Sequence, residues 1–448
     1  MNVLVLGSGG REHSLVWRLS QDESVSKVVA APGNPGIVAD GIECFNLDPL
    51  NGQEVLELAK KQNIDFVVVG GEPPLVAGVA DVLREAGISV FGPNADGAQL
   101  EGSKAYMKDL LVEAGVPTAK HKTFEAHQLD EALQFLEDLQ NETGSDLHIV
   151  KTDGLAAGKG VVVTESLDEA RNAVESYLSG EAFGEAGTTC VIEEGMTGPE
   201  ISVFAICDGK DATCIGVAQD HKRVFDNDKG PNTGGMGAYS PVSFVDDVMV
   251  KEIMDTCIAP TLKALQARGI DYRGVLYAGL MLTPQGPKML EYNIRFGDPE
   301  CQILMMRLTG DLALTLRACA DGNLTEYLMH GDRHSVLGIS DYVSITVVVA
   351  SAGYPEHPRL GDEITGISEA NKIDGVKVFH AGTKKEAGSI VTNGGRVLNV
   401  TVLANDILTA RHRAYEACGL IRFDGIHYRK DIAYQALSES DAEYKEFE

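Results

Sequence analysis

The sequence predicts a protein of mixed α/β and α+β class, with a doubly wound βαβ domain first and a sheet-rich cap domain last. From Met1 to about Pro93, short runs of β-branched residues alternate with helical stretches, which is typical of a parallel sheet. Long apolar runs joined by Gly/Pro turns follow, such as the one before Pro-Gln-Gly-Pro at 284–287, and they indicate antiparallel strands. A third group of strand-like runs lies between about residues 330 and 430.

The 448 residues exceed what one hydrophobic core usually supports, so we expect several domains. The predicted units are a βαβ domain at 1–103, a central α+β domain at 104–327 with a subdomain at 121–191, a C-terminal domain at 328–432 and an acidic tail at 433–448. Within the C-terminal domain, Asn393-Gly394-Gly395 predicts a hairpin between the runs SIVT and RVLNVTVLA.

The composition excludes several classes of partner. Lys and Arg number 38 against 66 Asp and Glu, which gives a net charge of −28, so a nucleic acid would meet repulsion. No apolar run approaches the roughly 18 residues that span a bilayer, and Met1 leads directly into a strand, so we expect a cytoplasmic protein without a membrane partner. The eight cysteines include no C-x-x-C pair, which is typical of reduced thiols.

The first glycine-rich loop, Gly7-Ser8-Gly9-Gly10-Arg11, departs from a dinucleotide-binding fingerprint. Glu12 stands where the third glycine is required, and the second predicted strand offers no acidic residue for a ribose hydroxyl. A turn at the start of a helix can still bind a phosphate through N–H groups and Arg11. The alternative is that the glycines serve only the geometry of the turn.

A second loop runs from Asp153 to Gly160 with the sequence DGLAAGKG, between two predicted strands. It is not a P-loop, because three residues rather than four separate its glycines and Gly160 follows Lys159 in place of Ser or Thr. Its N–H groups and the nearby Lys151 suit a loop that covers a triphosphate. A plain hairpin is the alternative.

Two further stretches carry clusters of polar side chains. Glu193 and Glu194 open a hinge-like segment between strands, which is compatible with an adenosine site or with a solvated acidic turn. Glu291, Asn293 and Arg295 alternate along one strand and therefore share a face. Carboxylate and amide oxygens suit Mg²⁺, and an arginine can stabilise a transferring phosphoryl group; the alternative is a salt bridge on the strand surface.

The order of these features resembles the ATP-grasp superfamily, whose central domains clamp ATP between two α+β subdomains. Five stretches, GSGGREH, PGNPG, KTDGLAAGKGV, NTGGMGAYSP and EYNIRFGDPECQ, look like the phosphoribosylamine–glycine ligase family, and the resemblance covers about residues 1–430. It implies that ATP phosphorylates glycine and that 5-phosphoribosylamine attacks the glycyl phosphate, in an early step of purine synthesis. The implied cofactors are ATP and Mg²⁺ or Mn²⁺, and a transient contact with the enzyme that supplies phosphoribosylamine is also implied.

The resemblance assigns roles to individual residues. The nucleotide is expected at Lys104, Lys151, Gly154, Gly158, Lys159, Gly160, Glu193, Glu194 and Glu200, with Glu193 and Glu194 at the adenine and Glu200 at the ribose. The metal is expected at Glu291 and Asn293, with Arg295 as the catalytic residue. The substrates are expected at Gly9, Gly10, Arg11, Asp220 and Asp298, with the phosphate of phosphoribosylamine at the first three. The subdomain 121–191 is expected to close as a lid that excludes water.

The sequence departs from the superfamily where many members carry a second metal carboxylate, because Gly279 occupies that position and leaves Asp298, Glu300 or water as candidates. His221 is expected to be an exposed loop histidine.

Three rival functions are a carboxylase or formyltransferase of the same superfamily, a nicotinamide-dependent oxidoreductase and a non-catalytic nucleotide sensor.

Overall fold

The computed structural model describes residues 1–153, 160–181, 188–332 and 335–437. Three predicted nucleotide residues, Gly154, Gly158 and Lys159, and the end of the acidic tail lie outside these ranges. Within the described residues, no helix is both long enough and apolar enough to cross a membrane.

The N-terminal domain is a five-stranded parallel sheet with helices on both faces, as predicted. Its elements and the two helices that follow are β1 (Asn2–Gly7), α1 (Gly10–Leu19), β2 (Lys27–Pro32), α2 (Pro35–Ala39), β3 (Glu43–Cys44), α3 (Gly52–Lys61), β4 (Phe66–Val69), α4 (Glu72–Val76), α5 (Val79–Glu85), β5 (Ser89–Phe91), α6 (Ala95–Gly102) and α7 (Lys104–Ala114). The strand order is β3-β2-β1-β4-β5. Both faces of β1 are buried, since Val3 and Val5 belong to one core cluster and Leu4 and Leu6 to another. This explains why its sequence is a continuous apolar run.

A second unit is a small four-stranded sheet covered by two helices. It comprises β6 (His121–Glu125), a 3₁₀ turn (Ala126–Gln128), α8 (Leu129–Thr143), β7 (His148–Thr152), β8 (Val161–Thr164), α9 (Leu167–Leu178) and β9 (Thr189–Glu194). The antiparallel order is β6-β9-β7-β8. Its core, which includes Phe124, Leu136, Val174 and Ile192, is separate from the rest of the molecule, as expected for a unit that folds around its own centre.

The third unit supplies five of the eight strands of a large antiparallel sheet. It comprises β10 (Glu200–Asp208), β11 (Ala212–Asp220), β12 (Arg223–Phe225), β13 (Lys229–Asn232), β14 (Gly237–Ser240), α10 (Asp247–Ile253), a π turn (Met254–Ile258), α11 (Ala259–Ala267), β15 (Arg273–Thr283), β16 (Gly286–Asn293), α12 (Glu300–Arg307), β17 (Leu308–Thr309), α13 (Leu312–Asp321) and α14 (Leu324–His330). The predicted turn at 284–287 joins β15 to β16, with Thr283 opposite Gly286.

The C-terminal strands extend the same sheet. They and their helices are β18 (Gly338–Ile339), β19 (Val343–Ala350), α15 (Ile367–Ala370), β20 (Val376–His380), β21 (Thr383–Glu386), β22 (Ser389–Thr392), β23 (Arg396–Ala404), α16 (Ile407–Leu420) and a 3₁₀ turn (Tyr434–Ala436). Because β14 pairs with β19, one eight-stranded sheet runs in the order β16-β15-β10-β11-β14-β19-β23-β20. The cap domain is therefore sheet-rich, as predicted, and its main sheet is continuous with that of the central domain.

The predicted hairpin at Asn393-Gly394-Gly395 is wrong. Strand β22 pairs with β21 instead, through a two-residue turn at Ala387 and Gly388. Both turn residues have positive φ, +48° and +95°, which matches the twist of a tight hairpin. β23 pairs with β19 and β20, so residues 393–395 connect two different sheets.

Candidate functional site

The first glycine loop is closed by Glu12 rather than left open for a cofactor. The Glu12 carboxylate is buried, accepts the N–H of Gly9 at 2.6 Å and lies 2.7 Å from Arg11 Nε. A Cβ on Gly7 or on Gly70 would come within 2.3 Å of Glu12 side-chain atoms. The glycines at the carboxyl ends of β1 and β4 thus make room for a carboxylate that caps α1, and Gly9 and Arg11, both predicted to bind phosphate, already contact Glu12.

Arg11 and Arg295 lie close together although they are 284 positions apart in the chain. Arg11 Nη1 donates to the carbonyl of Phe296 at 3.1 Å, and Arg295 Nη1 donates to the same oxygen at 3.3 Å. Arg295 also lies 2.8 Å from Glu101 and 3.5 Å from Glu72. Burial would lower the pKa of each guanidinium, but the neighbouring carboxylates outweigh it and raise the pKa of both. The two arginines therefore remain charged beside each other.

The Glu-x-Asn-x-Arg motif places its polar groups together at the end of β16. Arg295 Nη2 donates to Asn293 Oδ1 at 3.1 Å. Burial would raise the pKa of Glu291, but the charges of Lys222, Lys151 and Lys104 outweigh burial and hold the pKa below its usual value. An ionised carboxylate and an amide oxygen fit a divalent cation that completes its shell with phosphate and water oxygens.

Gly279 lies on β15 directly opposite Glu291, in the register of the sheet. Glu300, a candidate for the missing carboxylate, is buried and accepts the Tyr277 hydroxyl at 2.7 Å. Among the described residues, no three His, Cys, Asp or Glu side chains form a ready cage for a metal ion. The predicted ligands Glu291 and Asn293 therefore do not belong to a cluster of three such side chains in the described part of the chain.

The lysines predicted at the nucleotide are joined by one that the sequence did not indicate. Lys151, on β7, lies 2.9 Å from Glu193 Oε1, and the fully buried Lys108, on α7, lies 2.9 Å from Glu193 Oε2. Lys104 lies one helical turn before Lys108, and burial lowers the pKa of Lys104. The side chain of Glu193, predicted at the adenine, is 2% exposed and lies between two ammonium groups.

The remaining predicted nucleotide residues are found in ion pairs or at the end of a loop. Glu194 lies 3.2 Å from Lys288, and Glu200 lies 2.6 Å from Lys222. Burial would lower the pKa of Lys222, but the charges of Glu200, Asp220 and Glu291 outweigh burial and raise it. Gly160 is buried at the start of β8, and its carbonyl accepts the N–H of Thr152 at 2.8 Å.

Asp220 and His221 differ from each other in their surroundings. Burial, reinforced by Glu300 and Glu200 against the opposing charge of Lys222, raises the pKa of Asp220 to about 7. His221 is 1% exposed, so the expectation of an exposed loop histidine is wrong. Its Nε2 accepts the N–H of Ala433 at 2.9 Å, and burial lowers its pKa to about 3. His221 is therefore a neutral part of the junction with the C-terminal segment.

Asp298 connects the central domain with the C-terminal strands. Gln302 Nε2 donates to its carboxylate at 3.0 Å, and Arg396, on β23, donates to its backbone carbonyl at 2.5 Å. The same guanidinium donates to the carbonyl of Gly234 at 2.6 Å, within the NTGGMG stretch. Asn34, in the PGNPG stretch, donates to the carbonyls of Ser8 and His380 at 2.9 Å each. The motifs are thus joined by side chains from other domains.

Comparisons with family models and with known proteins all indicate the same family. Models of the N, ATP-grasp (A) and C domains of phosphoribosylglycinamide synthetase match residues 1–101, 102–301 and 344–435. A phosphoribosylamine–glycine ligase from Rhodopirellula baltica is 45% identical over 441 residues, which are 98% of this chain and 99% of that protein. One from Mesorhizobium japonicum is 46% identical over 442 residues, covering 99% and 100% of the two chains.

Solved structures show the same relationship. The phosphoribosylamine–glycine ligase of Thermotoga maritima is 31% identical, with a TM-score of 0.80 over 97% of this chain and all of that one. A biotin carboxylase from Campylobacter jejuni, solved as a β-γ-ATP complex, has a TM-score of 0.69 over 95% of this chain and 92% of its own. At 16% identity, the second likeness shows the fold alone.

Proposed function

Since the chain belongs to the phosphoribosylglycinamide synthetase family, we propose that it joins glycine to 5-phosphoribosylamine in an ATP-dependent ligation within purine synthesis. The γ-phosphoryl group of ATP moves to the glycine carboxylate, and the amine of phosphoribosylamine then displaces phosphate from the glycyl phosphate. The products are glycinamide ribonucleotide, ADP and phosphate. The observation that carries this proposal is that the charges of Lys222, Lys151, Lys104 and Arg295 act together on Glu291 and hold its pKa below the usual value.

The nucleotide end of the site needs positive charge held in place before the phosphates arrive. Lys104 and Lys151 supply it, and Arg295 is oriented by Glu101 and Asn293 towards a transferring phosphoryl group. Glu291 and Asn293 would hold Mg²⁺ or Mn²⁺, which neutralises phosphate charge when bound. Phosphoryl transfer of this kind requires positioning and electrostatics, and it requires no covalent enzyme nucleophile.

The acceptor end is proposed where the N-terminal loop meets the connection between β16 and α12. Arg11 contacts the carbonyl of Phe296, which places its charge next to Arg295. Its pairing with Glu12 fixes the guanidinium for the phosphate of phosphoribosylamine, and Gly10 lies at the start of the same helix. Asp220 and Asp298 are proposed to face glycine and the amine.

Water must be kept from an acyl phosphate, and we propose that the four-stranded unit at 121–191 acts as the lid. Its separate core supports movement as one body. Asp153, at the end of β7, accepts hydrogen bonds from the Ser103 hydroxyl and the Ala105 N–H at the start of α7.

A cytoplasmic location is proposed on a different observation, because all eight cysteines are free.

The test is an ADP-release assay with purified protein, ATP, Mg²⁺, glycine and phosphoribosylamine generated in place. Full turnover is expected only when both acceptors are present, and Glu291→Gln should abolish it, whereas Lys120→Met on the exposed surface should not. ADP release that is indifferent to glycine but responds to bicarbonate would contradict the proposal and indicate a carboxylase. Repeating the assay with Mn²⁺ would show which cation is used.

A further inference from the structure

Lys108 is buried to a degree that is unusual for lysine and that needs a reason. Its side chain is 0% exposed. The ammonium donates to Glu193 Oε2 and to the Thr118 hydroxyl, each at 2.9 Å, and Thr118 in turn donates to the carbonyl of Met289. A buried ammonium is costly unless it is paired and hydrogen-bonded, and an apolar side chain of similar size would avoid that cost.

The partner of Lys108 is shared with Lys151. Glu193 is buried between them, with one carboxylate oxygen 2.9 Å from each ammonium. The formal charges of Lys108, Glu193 and Lys151 are +1, −1 and +1, so the three together carry +1. Without Lys108, Glu193 and Lys151 would form a neutral pair, and the positive charge available to a phosphate at Lys151 would be largely cancelled.

The three side chains are also fixed in direction. Glu193 on β9 pairs with Ile149 on β7, so Lys151, two residues further along β7, projects from the same face of the sheet. Lys108 lies one turn after Lys104 on α7, and residues four apart share a face of a helix. Thus α7 supplies Lys104 and Lys108, and the lid sheet supplies Glu193 and Lys151.

We propose that Lys108 is a positioning residue for nucleotide binding: by holding Glu193, it keeps the Lys108–Glu193–Lys151 group positively charged and aims Lys151 at the triphosphate. The inference rests on the proposed function, which places the triphosphate at Lys151. Lys108 itself does not touch the nucleotide. Its effect should therefore grow with the negative charge of the ligand.

The experiment compares Lys108→Met with the wild-type protein in calorimetric titrations of ATP, AMP and adenosine, with Mg²⁺ present. ATP affinity should fall about ten- to a hundredfold, AMP affinity less, and adenosine affinity less than about twofold, as expected when a net positive charge near the phosphates is lost. Lys120→Met is the matched control, because it removes a lysine from an exposed ion pair with Glu142, which lies on α8. It should leave all three affinities unchanged.

Equal losses for the three ligands would overturn the proposal and show a purely structural role, and unchanged ATP affinity would overturn it as well. Wild-type protein that binds no ATP would contradict the proposed function instead. If the methionine variant fails to fold, Lys108→Arg, which keeps the charge, should restore ATP binding.

The pH dependence of ATP and adenosine binding gives an independent test of the role of Lys108. Burial lowers the pKa of Lys108 to about 8; Glu193 and Glu291 oppose this shift and Lys151 reinforces it. The ammonium is charged below this pKa and neutral above it. Because burial also lowers the pKa of Lys104, the pH profile of the wild type is compared with that of Lys108→Arg, whose charge persists at high pH. Between pH 7.5 and 9.5, ATP affinity should fall more steeply in the wild type than in Lys108→Arg while adenosine affinity stays constant in both, and equal profiles for the two proteins would refute the inference.

Discussion

Replacing Arg295 with methionine should separate its structural role from its catalytic role when Glu101 is varied in parallel. Arg295 Nη2 lies 2.8 Å from Glu101 Oε1, and the two side chains are only 16% and 11% exposed. Glu101 also accepts the N–H of Ile294 at 2.9 Å, so the carboxylate stays in place when the guanidinium is removed. Breaking a fully buried pair costs about 3–5 kcal/mol, and the residual exposure reduces the expected loss of unfolding free energy to about 2–4 kcal/mol.

The double variant Arg295→Met with Glu101→Gln removes both charges and keeps an acceptor for Ile294. Its unfolding free energy, measured in urea, should return to within about 1 kcal/mol of wild type. Its kcat for ADP release should stay about 10²–10³-fold low, the loss typical of a group that stabilises transition-state charge. A double variant with more than about a tenth of wild-type kcat would refute the catalytic role.

The pH dependence gives the same experiment a second readout. Burial raises the pKa of Glu101, and Arg295 opposes that rise, so removing Arg295 raises the pKa further. A carboxyl group whose folded-state pKa exceeds its unfolded value stabilises the protein at low pH, and that contribution is lost as the pH increases. The stability deficit of Arg295→Met should therefore shrink from pH 8 to pH 6, whereas that of the double variant should not change.

Three further changes test other parts of the site. Arg11→Ala should raise the KM for phosphoribosylamine at least about tenfold with little change in the KM for ATP, because a charge-assisted contact to phosphate is lost; an unchanged KM for phosphoribosylamine would remove Arg11 from that site. Gly70→Ala should lower the unfolding free energy by about 1–3 kcal/mol, because its Cβ would lie 2.3 Å from Glu12 Oε1, and urea denaturation measures this. Asp220→Asn should stabilise the protein by about 1–3 kcal/mol at pH 8 but not at pH 4, because burial raises the pKa of Asp220 to about 7; equal effects at both pH values would contradict this.

Local patterns were sufficient to predict the elements that position the site. The continuous apolar run of β1 follows from burial on both faces, and the alternation of Glu291, Asn293 and Arg295 places them together. The failed hairpin at 393–395 shows the limit of such patterns. Its glycines resemble a turn, but Gly394 comes close to Gly382, where a Cβ would lie 2.7 Å from Gly394 Cα. Close packing of two chain segments therefore accounts for these glycines.

The charged residues that complete the site could not be predicted, because each has an ordinary local sequence. Glu101 lies in the last turn of α6 and Lys108 lies within α7, and nothing near either residue in the sequence marks its partner. Glu193 is 85 positions from Lys108, and Ala433 is 212 positions from His221. The pairing of such groups is a property of the fold, so only three-dimensional contacts reveal it.

The paired charges also explain how a chain with a net charge of −28 can hold a polyphosphate. Lys151, Lys222, Arg11 and Arg295 each lie beside a carboxylate in the unliganded protein. These carboxylates orient the cations and lower the cost of placing them close together, but each also cancels part of the attraction for phosphate. Binding strength then depends on the balance within each ion-paired group rather than on the net charge of the chain. Where two cations share one carboxylate, as Lys108 and Lys151 share Glu193, a positive charge remains available to the ligand.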